Sequence, residues 1–198
     1  MGVIMKKIII TLFILFGFSG TLSAADQGQM RFGVEFGFSP VDLEAEKTAQ
    51  ELANLSGSTV TVEYDTGSFV GRLFGEYGLS SNMDLEIGYF TTSDAEAKYT
   101  ISGASATESY YADGVDFSLN IKGDEGFYGK IGMHSSTVNG NASITIGGTT
   151  YAVTASRDGS GPLFGFGWES NDVRYSAVHY VDVGDTTDYT LFSVGFLF

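Results

Sequence analysis

Strict alternation of apolar and polar residues, repeated along nearly the whole chain, constrains this sequence more than any other feature. From Met30 one column reads Met30, Phe32, Val34, Phe36 and Phe38, and the other Arg31, Gly33, Glu35 and Gly37. The pattern returns over 69–79, 83–90, 115–122, 127–134, 163–169, 173–180 and 190–198. A period of two sends successive side chains to opposite faces, so these segments read as eight strands whose two faces meet different surroundings. A sustained helical period is almost missing, which sets aside helical bundles and ordinary α/β enzymes. Composition agrees. Charged residues make up 17% of the chain, against ~25% in a typical soluble domain. Aromatics reach 14%, and there are 27 glycines.

The connections alternate in length. Ser80-Ser81-Asn82, Gly123–Gly126 and Ser170-Asn171-Asp172 are short, whereas 39–67, 93–114 and 139–161 are long and 184–188 is a shorter fourth loop. Short turns at one end and longer loops at the other describe an up-and-down barrel. Alternation alone fits both a soluble barrel with an apolar interior and a membrane barrel with an apolar exterior. Charge placement separates them. Arg31, Arg72, Lys122, Lys130 and Arg174 share one face with Glu35, Glu76, Glu86, Asp116 and Glu169, and the other face carries no charge in any strand core. A water-facing surface is normally much richer in scattered charge. On a lipid face an Arg costs about 2–4 kcal/mol at the midplane. The charged face therefore belongs inside. The expected fold is all-β: an eight-stranded antiparallel up-and-down transmembrane β-barrel over residues 26–198. Arg31, Glu35, Arg72, Glu76, Glu86, Asp116, Lys130 and Arg174 form its lumen charge network. Inner-face glycines (Gly33, Gly37, Gly78, Gly88, Gly132, Gly165, Gly167 and Gly195) leave room for the large groups. The interior of eight strands is just filled by side chains, so the expected lumen is a plug and not an open pore.

Residues 1–25 read as a cleavable signal peptide. Lys6 and Lys7 precede an apolar run from Ile8 to Phe18, and Leu22-Ser23-Ala24-Ala25 supplies a small-residue cleavage site. That run is far short of the ~20 residues of a spanning helix. Without Lys6 and Lys7 the mature chain keeps 8 basic against 24 acidic residues, a formal charge of −16. Such a balance argues against nucleic acid as a partner. With no Cys, neither a disulfide framework nor a thiolate metal site is available.

The end of the chain carries a more specific pattern. Phe192, Val194, Phe196 and Phe198 alternate up to the last residue. Before them stand Gly161-Pro162-Leu163-Phe164-Gly165-Phe166-Gly167, then Arg174, Tyr180, Asp182-Val183-Gly184-Asp185 and Leu191-Phe192-Ser193-Val194-Gly195. This stretch resembles the last three strands of the outer-membrane protein A-like transmembrane domain, and Phe127-Tyr128-Gly129-Lys130-Ile131-Gly132 is similar to the fifth strand of that family. Small barrels of the OmpX and OmpW kind share the architecture. The resemblance implies the outer membrane of a Gram-negative bacterium, surrounding lipid and lipopolysaccharide as partners, and a monomer. It also implies that the barrel-assembly machinery reads Phe192, Val194, Phe196 and Phe198 during insertion. Where the family often has an acidic residue two after the Arg of the seventh strand, this chain has Ser176, which alters the expected inner ion-pair layout. The chain stops at the last strand, so the appended peptidoglycan-binding domain of longer members is not expected.

Candidate chemistry is sparse. His134 and Ser136 form a His-x-Ser pair that looks like the catalytic pair of outer-membrane lipid A deacylases, and a His beside a Ser is a possible general base. The strand parity, however, turns His134 inward, away from an acyl ester in the leaflet, and leaves it a rim histidine. His179 falls on the outer face beside Tyr175. Neither has further ligands at metal-site spacing, so no catalytic residue, metal or cofactor is expected. Glu44, Glu46, Glu51, Glu63, Asp65, Asp94, Glu96, Glu108 and Asp113 make the loops acidic, a solvated surface or a weak divalent bridge to lipopolysaccharide phosphates. Ser39-Pro40-Val41-Asp42 has the order of a helix start, with Leu43, Ala49, Leu52 and Ala53 on one face and Gly57 as its stop. Thr59–Tyr64 and Ala142–Thr154 alternate again and read as strand pairs continuing above the membrane, with edges open to a further strand. The expected function is structural or adhesion-like, through extracellular loops that contact a host or surface ligand. A lipid A-modifying enzyme and a narrow porin are the competing readings.

Overall fold

The computed structural model describes residues 27–198 except 102 and 186. The signal peptide expected over 1–25 lies outside the described residues. Among these, ten strands and one α-helix occur in the order β1 (Met30–Pro40), α1 (Ala45–Ser56), β2 (Thr61–Tyr64), β3 (Gly67–Ser80), β4 (Met83–Thr92), β5 (Ala95–Ile101), β6 (Ala104–Lys122), β7 (Phe127–Ile146), β8 (Thr149–Ser170), β9 (Val173–Val183) and β10 (Thr187–Leu197). A 3₁₀ turn at Asp124–Gly126 joins β6 to β7. Every pairing is antiparallel, and the order β6-β4-β3-β1-β10-β9-β8-β7 closes through β6–β7 into an eight-stranded barrel. β5 continues the line of β4 along the same edge of β6, and β2 adds to the far edge of β5.

The alternation is realised side chain by side chain. Arg31, Glu35, Arg72, Glu76, Glu86, Asp116, Lys130 and Arg174 are buried inside, whereas Phe32, Phe36, Phe69, Ile87, Phe117, Ile131, Phe166 and Phe196 are exposed outside. At ~3.3 Å per residue and a tilt of ~40°, the outward apolar stretches form a band on the order of 20–25 Å high, matching the ~25 Å belt of a membrane barrel. The band ends where Thr91, Asp113, Ser135 and Ser160 take over the outward column. At the short-turn end Trp168 stacks on Tyr175 with centroids 5.9 Å apart, and its indole N–H donates to the Glu125 carbonyl at 2.8 Å. A ring that is apolar at one side and hydrogen-bonded at the other suits a membrane–water boundary.

Three strands run far past that band. β6, β7 and β8 have 19, 20 and 22 residues, about twice the 9–11 that a spanning strand needs. Their upper halves join β5 and β2 in a five-stranded sheet, β2-β5-β6-β7-β8, above the barrel mouth. The stretches 104–114, 139–146 and 149–161, expected as loops apart from the Ala142–Thr154 hairpin, are thus continuous strand. Gly147 and Gly148 close the β7–β8 hairpin with φ of 58° and 82°. Two positive φ values in a two-residue turn match the right-handed twist of the flanking strands.

Helix α1 stops at Gly57 as its sequence suggests, with the Gly57 N–H bonded to the Ala53 carbonyl at 2.9 Å. It starts later than the Ser39-Pro40 signal. Those two residues finish β1, paired with Ser68 and Gly67, because a Pro is tolerated at the end of a strand where no ladder N–H is needed. The Asp42 carboxylate instead accepts the Glu44 N–H at 2.9 Å and turns the chain into α1. Ala45 and Ala49 then seat the helix on Ala97 and Tyr99 of β5, with Leu43, Leu52, Val60, Val62 and Ala106 at the margins.

Candidate functional site

Two regions carry chemistry beyond the scaffold: the filled lumen and the sheet above it. Inward parity along β1, β3, β4, β6, β7 and β9 brings the whole expected charge network together. Arg72 donates to Glu35 at 2.9 Å, to Asp116 at 2.6 and 2.8 Å, and to Glu86 at 2.5 Å. Arg174 donates to Glu86 at 2.7 Å, Glu76 at 2.6 Å and Glu169 at 2.8 Å. Arg31 reaches Glu76 through Nε at 2.7 Å and Glu169 through Nη1 at 2.8 Å. Glu86 is the hub, since Lys130 at 2.5 Å and Asn120 at 2.8 Å also end on it. Lys122 pairs with Asp84 at 2.5 Å. Phe74 lies between the guanidinium groups of Arg72 and Arg174, 5.1 and 4.9 Å from its centroid, and Tyr128 faces Arg174 from 5.1 Å. Buried charges need such partners, because an isolated ion loses its hydration with nothing in exchange.

Two glycines make the packing possible. A Cβ on Gly33 would fall 2.2 Å from the Phe74 ring, and one on Gly88 would fall 2.4 Å from Nη2 of Arg72. Above the charges the lumen changes character. Val70, Phe90, Ala112, Leu163, Val178, Tyr180, Val183, Tyr189 and Leu191 form an apolar layer across the upper barrel, and Tyr180 joins the layers by donating to Asp116 at 3.2 Å. The ion pairs expected from sequence are therefore the lower of two layers of side chains in the lumen.

His134 and Ser136 both point into this upper region and are buried. His134 Nε2 lies 2.6 Å from the Val181 carbonyl, and the Ser136 hydroxyl accepts the Gly184 N–H at 3.2 Å. Each thus ties β7 to the end of β9 and the turn after it. His179 is half-buried on the outer side, with Nδ1 2.9 Å from the Thr190 hydroxyl and its ring 5.1 Å from Phe164. Phe192, Val194, Phe196 and Phe198 all face outward, and Phe198 exchanges both backbone hydrogen bonds with Phe32. Among the described residues, no three His, Asp or Glu side chains are grouped to hold a metal.

The acidic loop residues divide. Glu46 accepts the Tyr64 hydroxyl at 3.0 Å, and Asp65 accepts the Glu96 N–H at 3.0 Å, so both fasten the loop elements to one another. Glu108 differs from a solvated surface charge. It faces the inner side of the upper sheet, where Tyr99 donates to one carboxylate oxygen at 2.5 Å and Tyr110 to the other at 3.0 Å. Burial, then the contact with Glu108, pushes the Tyr99 hydroxyl up to about 12 and raises that of Tyr110. Both phenols remain donors across the physiological range.

No protein-family model matches this chain, and no curated protein matches it in sequence. Solved structures do. The outer membrane protein OprG from Pseudomonas aeruginosa superposes with a TM-score of 0.50 at 10% identity, over 90% of this chain and 99% of its own. Ail, the attachment invasion locus protein of Yersinia pestis, gives 0.46 at 12% identity, over 87% and 99%. The likeness to OprG is one of fold, and with the closed antiparallel ring it establishes the chain as an outer-membrane-type β-barrel.

Proposed function

We propose that this chain is a small integral protein of the Gram-negative outer membrane that works at the cell surface through the sheet above its mouth, with a sealed lumen and no catalytic role. One observation carries this reading: β6 to β8 continue well past the lipid band into a sheet whose last strand, residues 149–158 of β8, pairs with β7 on one side and, among the described residues, with no strand on the other. A strand edge with unpaired backbone groups is a template for another extended segment. The apolar outer belt and the fold shared with OprG support the location. Lipid and lipopolysaccharide would surround the belt, the assembly machinery would read the alternating residues of β10, and the partner of the sheet would be a host or neighbouring cell surface.

The experiment removes the upper β7–β8 hairpin, which carries the open edge, and keeps the barrel. Replacing Asn141–Thr154 by Asn-Gly reconnects Gly140 to Ala155, which face each other across β7 and β8. Cells producing this variant should adhere to an epithelial monolayer less than cells producing the full chain at equal outer-membrane levels. Equal adherence would refute the surface role. The sealed lumen has its own test. In planar bilayers the mature chain should give no steady large single-channel currents, because an ionic layer and an apolar layer both close the water path. Sustained currents would support the porin reading instead.

A further inference from the structure

We propose that the groove between α1 and the uncovered part of the upper sheet binds a small organic cation with an aromatic or aliphatic body, and that Glu108 reads its charge. The proposal rests on the reading that this sheet stands in water above the membrane. Inward parity, carried up from the lumen, places Ala106, Glu108, Ala142, Ile144, Tyr151 and Val153 on one face. Helix α1 covers the β2–β5 side of that face and stops short of β7 and β8. Ile144, Tyr151 and Val153 are left 42%, 62% and 64% exposed. Sheets exposed to water normally turn polar residues outward, so this apolar strip serves no evident purpose in folding.

Between the strip and the helix wall lies a groove of about 370 Å³, within the ~300–1,000 Å³ range of small-molecule sites. Glu108 is the one charged residue in its lining. Its carboxylate is held by the Tyr99 and Tyr110 hydroxyls, one on each oxygen. A carboxylate has about four lone-pair sites, so two remain for a ligand. An acceptor already fixed in place spares the ligand part of the ordering cost of binding. Tyrosine rings beside it favour a cation over a neutral group, and a mature chain of −16 draws cations and repels anions.

The test uses the full mature chain refolded in lipid nanodiscs and three probes of one shape: 2-phenylethylammonium, 2-phenylethanol and phenylacetate. Binding is followed by chemical-shift changes of the Ala142 and Ile144 methyl groups. The ammonium should bind at least tenfold more tightly than the alcohol, and phenylacetate should not bind. Glu108→Gln keeps an acceptor for one phenol and turns an amide N–H toward the oxygen of the other, and it should reduce the ammonium to the level of the alcohol. Val153→Arg, at an exposed position, should weaken the ammonium in the same way and keeps the proposal testable if Glu108→Gln misfolds. Equal affinity for ammonium and alcohol, or undiminished ammonium binding in these variants, would overturn the proposal. So would binding of a basic amphipathic peptide with none of the ammonium. None of these outcomes depends on adherence, so failure here leaves the surface role standing and loss of the surface role leaves this site standing.

Discussion

Arg174→Ala should lower the unfolding free energy of the refolded barrel by about 3–5 kcal/mol, the usual loss when one side of a buried ion pair is removed. The guanidinium serves Glu76, Glu86 and Glu169 at once, and its removal leaves three carboxylates, each no more than 10% exposed, short of a cation. Arg174→Lys should recover only part of the loss, because a single ammonium cannot reproduce the forked contacts to three partners. The control is Asp158→Ala. Asp158 accepts one exposed hydrogen bond, from Thr137, and its loss should stay within about 0.5 kcal/mol. Reversible urea unfolding in lipid vesicles measures all three. Equal effects of Arg174→Ala and Asp158→Ala would mean that the lumen is wet enough to solvate the orphaned charges.

Gly88→Ala should be strongly destabilising for a change of one methyl group. The added carbon would stand 2.4, 2.6 and 2.7 Å from Nη2, Nε and Cζ of Arg72. An arginine side chain could normally swing aside. This one is fully buried and tied to Glu35, Glu86 and Asp116, so moving it breaks ion pairs as well as packing. Overpacking alone costs about 1–3 kcal/mol, and the displaced guanidinium adds to that. Gly71→Ala and Gly129→Ala supply the comparison: both would place a Cβ in open space, and both should leave the unfolding midpoint unchanged within about 0.5 kcal/mol. A midpoint for Gly88→Ala that matches these controls would show that Arg72 is not held as described.

The lower lumen was legible because lipid imposes a strong contrast between faces. With the outside obliged to be apolar, every Arg, Glu and Lys in the membrane-spanning parts of β1, β3, β4 and β6 to β9 falls into the inner column, and Asp84 and Glu169 could be read from the same parity. The apolar layer of Leu163, Val178 and Leu191 was harder to see, because those residues share a column with Gly and Ser and look like exceptions to it. Above Asp113 and Ser135 water bathes both faces and the contrast fades. Runs such as Asn139-Gly140-Asn141 then look like loop, although they pair in unbroken register with Ser156 to Thr154. Face identity there is inherited from the barrel below and not written locally. For that reason Glu108 read as one more acidic loop residue. Its partners Tyr99 and Tyr110 sit nine residues before it and two residues after it, and only the β5–β6 register brings the first of them to it. The helix start was misplaced because local capping chemistry at Ser39-Pro40 lost to sheet pairing with β3.

The central claim is a closed barrel with an apolar exterior and a charged, filled interior. The most direct test is the gel mobility of the mature protein, extracted from membranes in mild detergent and run in dodecyl sulfate with and without boiling. A ring of eight strands locked by the ion pairs of Arg31, Arg72 and Arg174 should resist the detergent cold, stay compact and migrate faster than the boiled, extended chain. Identical mobility in the two lanes, together with a mature protein that stays soluble without detergent, would contradict the account and favour a water-soluble barrel.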